Sequence, residues 1–299
     1  MNARMTPRCF LLQVLLMLSF LVASVSSSFC LDSVPHTEID QGLPHEYGSV
    51  IYQNNHDALN QIFIVGQSHR SAVDGKNGQD TVLAQMEIFR IYEWLIRQKK
   101  VEILLPEGFF QRGIVQQDAQ DRPSVHDAAA TLDSDRLKRL LEDTSRFVSA
   151  DTLLSSLYPI RLGQVEDEEL YWKLSHLIRK LGNRNEDVNQ ALIEELNDYQ
   201  KKRTAIMLQN IPVAVESVFQ RGDIENKHAI FTIGMVHIAD ILEFFHEETG
   251  ASAGNGDLLS SSAFDLLEKG YGITVILPKS LAENGNVLRL TGLEQVASP

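Results

Sequence analysis

Cysteine is nearly absent: Cys9 and Cys30 are the only two in 299 residues, too few for a disulfide framework. Positive charge is also short, with 27 Lys and Arg against 40 Asp and Glu and a formal net charge of −13. A chain this acidic lacks the basic surface that nucleic acid or an anionic membrane face requires, so neither is expected as a partner. Beyond the first apolar run, Phe10 to Ala23, no segment is long and apolar enough for a bilayer span, and that run is itself short for one. Low-complexity tracts are missing too, leaving a chain long enough for one large α/β domain, or for a sheet domain carrying a helical insertion.

What stands at the start has the layout of an export signal: Arg4 and Arg8, the apolar run, then the small residues Ser24-Val-Ser-Ser-Ser28. Ser26 and Ser28 suit cleavage before Phe29, so residues 1–28 are read as a signal peptide and the mature chain is expected to be periplasmic or secreted. Cleavage removes two arginines and no acids, giving 25 − 40 = −15, and leaves Cys30 without a partner for an internal disulfide. An uncleaved anchor is the competing reading. A lipid on Cys30 is disfavoured by the bulky Phe29 before it.

Two copies of one pattern, a hydrophobic strand running into Gly-x-x-His, organise the rest: Gln61-Ile-Phe-Ile-Val-Gly66-Gln-Ser-His69 and Ala229-Ile-Phe-Thr-Ile-Gly234-Met-Val-His237. Gly66 and Gly234 would let the backbone turn sharply or approach a ligand, and each histidine suits proton transfer or metal ligation near neutral pH. A single histidine at a strand end is commonly a hydrogen-bonded structural residue; the repetition is what points to a site.

Residues 29–60 read as a polar lead-in with one strand-like stretch, Ser49-Val-Ile-Tyr52, and residues 61–299 as the domain. After the first strand comes a loop rich in Gly, Asp and Asn. Thr81 is placed to cap a helix to about Lys99, with Val82, Met86, Phe89 and Ile96 at helical spacing, and Val101-Glu-Ile-Leu-Leu105 is a second strand. Strand, helix and strand at this spacing form a parallel crossover unit. The middle third, about 124–220, is charged helical sequence read as an insertion, interrupted by Tyr158-Pro-Ile-Arg-Leu-Gly163 as a candidate third strand. Gly182-Asn183 divides two helices there, and Pro212 is expected to end or kink the later one. Then follow the strand at 229–233, a helix at 239–248, a Gly/Ser-rich loop at 250–262, a helix at 263–268 and the strand Ile273-Thr-Val-Ile-Leu277. The fold expected is α/β, a mainly parallel or mixed sheet with flanking helices and a central helical insertion.

Ligand crevices of open parallel sheets lie at the carboxyl ends of the strands, which is where His69, Glu107, the pair Glu166 and Asp167, and His237 fall. Glu107 sits between an apolar strand and Gly-Phe-Phe; its structural alternative is to cap the next helix. Glu166 and Asp167 open Glu-Asp-Glu-Glu, which also reads as the acidic first turn of a helix. A fifth residue comes from the helix at about 188–210, where Val188, Leu192, Leu196, Tyr199, Arg203, Ile206 and Asn210 share a stripe at spacings of 4, 4, 3, 4, 3 and 4. An inward Arg203 must pair with an acid or a ligand, or reach past the core to water.

Gly66-Gln-Ser-His69, Pro106-Glu107-Gly108, Arg203-Thr-Ala-Ile-Met207-Leu-Gln-Asn210 and Gly234-Met-Val-His237 together resemble the TraB/Tiki branch of the erythromycin-esterase/ChaN-like superfamily, over about residues 60–280. The resemblance implies that His69, His237, Glu107 and Arg203 are the functional set. Tiki-like proteins look like metal-dependent peptidases, and related branches hydrolyse macrolide lactones or bind haem. Two departures weigh against the esterase branch: Gly66 stands where it has a glutamate, and Thr204 where its arginine motif continues with aspartate. The residues themselves agree with metal-assisted hydrolysis, since imidazole and carboxylate suit Zn, Mn or Co and arginine can stabilise a developing oxyanion. The expectation is therefore an exported hydrolase of peptide or small ester bonds, with His69, His237 and Glu107 on a divalent metal or sharing acid-base duty, Arg203 stabilising charge, and Gly66, Gly234 and Glu166 as cofactor-binding residues. The alternative is a haem- or iron-binding uptake protein that uses the same pocket without turnover.

Overall fold

The computed structural model describes residues 42–68, 78–111, 132–142, 148–182, 190–249 and 266–293. The expected signal segment with Cys9, Cys30, His69 and the loop after it, and the Gly/Ser-rich loop at 250–262 lie outside the described residues. Six strands, β1 (Gly48–Asn54), β2 (Asn60–Gln67), β3 (Ile103–Pro106), β4 (Arg161–Leu162), β5 (Ala229–Gly234) and β6 (Tyr271–Pro278), form one sheet in the order β1-β6-β2-β5-β3-β4. All neighbours are parallel except β1, which pairs antiparallel with β6. The stretch read as a lead-in thus contributes the edge strand of the sheet.

Strands buried on both faces read as unbroken apolar runs, and within them side chains alternate. Ile62 and Ile64 of β2 and Phe231 and Ile233 of β5 face one side; Phe63, Val65 and Ile230 face the other. The helices are α1 (Gln79–Lys99), α2 (Ser134–Leu141), α3 (Ala150–Leu157), α4 (Glu168–Gly182), α5 (Gln190–Gln220), α6 (Met235–Thr249), α7 (Lys279–Ala282) and α8 (Gly285–Leu290). Helices α1, α2 and α3 cover the Phe63 face, while α5 and α6 cover the Ile62 face. The middle third supplies edge strand β4 and helices that layer on both faces of the sheet. No helix among the described residues is long and apolar enough to cross a membrane.

Three local expectations are corrected. Thr81 does not cap α1, which begins a half-turn earlier at Gln79 with Gly78 at the N-cap. Pro212 does not end α5, which runs 31 residues through it. A proline inside a helix costs about 3 kcal/mol, and here Leu208, Ile211 and Val215 beside it are fully buried against the sheet, which offsets that cost. Finally, α6 starts directly at the end of β5, so His237 lies in a helical first turn and not in a loop.

Candidate active site

Three parallel strands end level with one another. Gln67 of β2 pairs with Gly234 of β5, and Pro106 of β3 pairs with Thr232, which sets Glu107 beside Ile233. The Glu107 N–H donates to the Thr232 carbonyl at 3.0 Å, fixing the backbone from which its carboxylate reaches across β5. Oε2 accepts from the Gly234 N–H at 2.6 Å, at the N-terminus of α6, where amide groups have no helical partner. Glu107 does cap a helix, but the one that carries His237.

Past the end of β4, Glu166 is buried with a side chain 0 % exposed and accepts both arms of Arg203, from Nε to Oε1 at 2.8 Å and from Nη2 to Oε2 at 2.6 Å. The Gly108 N–H adds a third bond to Oε2 at 3.1 Å, from a backbone with φ +72°, a conformation glycine adopts without strain. Asp167 does a different job: its Oδ1 accepts from the Leu170 N–H at 2.8 Å and caps α4. Of two adjacent acids, one belongs to the site and the other to the helix end.

Arg203 comes from α5 and links everything. Besides Glu166 it donates from Nη2 to Glu107 Oε1 at 2.9 Å, its Nη1 lies 3.3 Å from His237 Nε2, and the Tyr171 ring lies 5.5 Å from its guanidinium carbon. Burial works against its charge, but the hydrogen bonds it donates to Glu166 and the charges of both glutamates outweigh it and hold its pKa above the ordinary value. Arg203 thus bonds two carboxylates, Glu107 and Glu166, and touches one imidazole.

His237 is nearly fully buried, its Nδ1 2.7 Å from Thr204 Oγ1 and its Nε2 3.6 Å from Glu107 Oε1. One turn further along α6, burial pushes the Asp240 carboxyl up to about 6, with His237 and Lys201 pulling the other way. The structure thus gathers Glu107, Glu166, Arg203 and His237 at one sheet edge. Gly66, level with Ile233 on β2, is required by close packing rather than by a turn, since an added Cβ would meet Leu277 Cδ2 at 2.8 Å and Met235 Sδ at 2.9 Å. Thr204, Asp240 and Tyr171 were not foreseen as neighbours of the site. The signal for Asp240 was present, as a polar residue three positions after His237 on an otherwise apolar helix face.

Among the described residues no three His, Cys, Asp or Glu side chains are arranged to hold a metal ion. Two donors do converge, His237 Nε2 and Glu107 Oε1, at 3.6 Å. Donors bound at about 2.0–2.2 Å to one tetrahedral ion stand roughly 3.4 Å apart, so the pair fits two corners of such a site. Arg203 would have to release both atoms and keep its two bonds to Glu166.

Comparison with family models, curated proteins and solved structures finds no match for the chain. Fold and site define its class: an α/β protein with a buried arginine, carboxylate and imidazole cluster at the carboxyl edge of a mostly parallel sheet.

Proposed function

We propose that the cluster is the reaction centre of an exported, metal-assisted hydrolase acting on a peptide or small ester bond. The observation that carries the reading is an imidazole nitrogen and a carboxylate oxygen 3.6 Å apart, both against a buried arginine that Glu166 holds from the other side. The resemblance to TraB/Tiki proteins supports the same roles. His237 Nε2 and Glu107 Oε1, with His69, would hold Mn, Co or Zn, which when bound would polarise the scissile carbonyl and acidify a water. Glu166 holds the guanidinium of Arg203 in place, so that its Nη groups can face negative charge developing on the carbonyl oxygen. The Gly234 amide holds the Glu107 carboxylate against rotation.

Metal content of the purified protein tests this, read together with its absorbance spectrum. His69→Ala, His237→Ala and Glu107→Ala should each lower bound Mn, Co or Zn while the far-UV spectrum is kept, and affinity should fall in acid as the imidazoles take up protons. Hydrolysis of a peptide or ester library should depend on the metal and stop with chelator. Failure to bind any of the three at micromolar concentration overturns the reading, and a Soret band would assign the pocket to haem.

A further inference from the structure

The nitrogen of His237 that faces away from Glu107 lies against a hydroxyl whose only proton is committed elsewhere. Thr204, fully buried on α5, has its Oγ1 3.0 Å from the Gln200 carbonyl one turn back and 2.7 Å from His237 Nδ1. A backbone carbonyl can only accept, so the threonine proton points to it and away from the ring. Oγ1 is then an acceptor at the 2.7 Å contact, and Nδ1 must carry the hydrogen. The other side of the ring agrees independently. Nε2 faces Arg203 Nη1 at 3.3 Å, and a guanidinium has no acceptor to offer, so Nε2 presents a lone pair.

We infer that Thr204 is a positioning residue that fixes the proton of neutral His237 on Nδ1 and turns the bare Nε2 toward Glu107 and Arg203. The consequence for chemistry rests on the hydrolase reading, in which Nε2 is the atom that takes a metal. The proton placement itself is a property of the protein free of metal and substrate. Sequence reading did not reach Thr204 because the ring contact spans 33 positions and two helices.

The test is nitrogen NMR of metal-free protein labelled at histidine, with the His237 signal identified by its loss in His237→Gln. The Nδ1–H tautomer is expected in the wild type and in Thr204→Ser, and a shift toward Nε2–H or a mixture in Thr204→Val. An Nε2–H ring in the wild type, a ring protonated on both nitrogens, or a tautomer unchanged by Thr204→Val would overturn the inference. The wild-type spectrum alone can do so should the valine variant fail to fold. Titration with Zn separates the two proposals: if the hydrolase reading holds, Thr204→Val weakens binding by about 10–100-fold and Thr204→Ser restores it. A locked tautomer in a protein that binds no metal leaves the role of Thr204 standing and removes the hydrolase.

Discussion

Arg203 shows how far one side chain can be read from spacing. A helical stripe placed it on the inward face, and an inward arginine requires an acid. Which acid was undecidable, because Glu166 and Asp167 are neighbours with the same chemistry; only the path of the chain past β4 turns one to the guanidinium and the other to the end of α4. The stripe itself drifts along α5, from Leu192 and Leu196 to Thr204, Leu208 and Val215, so Arg203 sits at its border, where it can reach the sheet edge. Removing one member of a buried ion pair costs roughly 3–5 kcal/mol because the other charge is left uncompensated. Arg203→Met should destabilise by that order in denaturant melts. Adding Glu166→Gln should recover much of the loss by removing one of the stranded charges, while metal binding or hydrolysis stays lost. Equal stability of the single and double variants would show that Glu166 is not the partner that matters.

Among the elements, β2, β5 and β6 were legible because a strand covered on both faces must be apolar throughout. Edge strand β4, two residues long, falls inside the candidate strand Tyr158–Gly163, whereas the antiparallel return of β1 along β6 was not legible because it depends on pairing across more than 200 positions. The continuity of α5 through Pro212 was hidden for a related reason, since the packing that offsets the proline comes from other segments. Gly66 has a packing role that the strand pattern did not show: it makes room for Leu277 of β6 and for Met235 and Ile238 of α6. Gly66→Ala should therefore cost about 1–3 kcal/mol, the range for forcing an extra methyl into a packed core. Since Met235 and Ile238 flank His237, function should suffer beyond the loss of stability. A melting temperature unchanged from wild type would mean the contacts relax without effect, and the glycine would then have to be explained by something passing over it.

Across the whole molecule, the site lies where the chain direction divides. Helix α1 follows β2 onto one face and α6 follows β5 onto the other, and adjacent parallel strands whose connections part in this way open a crevice at their carboxyl ends. Strands β2 and β5 are adjacent and in register, Gly66 beside Ile233 and Gln67 beside Gly234, while His69 lies outside the described residues. The same burial that assembles the edge also sets how stability depends on pH. Burial raises the carboxyls of Asp240 and Glu87, and Asp240 moves from 3.8 to about 6. Between those values the folded state binds more protons than the unfolded one, so stability should fall as pH rises from about 4 to about 6 and level off above. Two pKa steps set an upper limit of about 3 kcal/mol for Asp240, less to the extent that solvent reaches it. Asp240→Asn removes the ionising group and should make the protein more stable at pH 7 and its profile flatter through that window, with the slope due to Glu87 remaining. The measurement is a series of denaturant melts across the acid range on both proteins. If the variant is no more stable at pH 7 and the wild-type slope persists unchanged, Asp240 is not held protonated by the fold, and its carboxylate must be stabilised by a cation near His237.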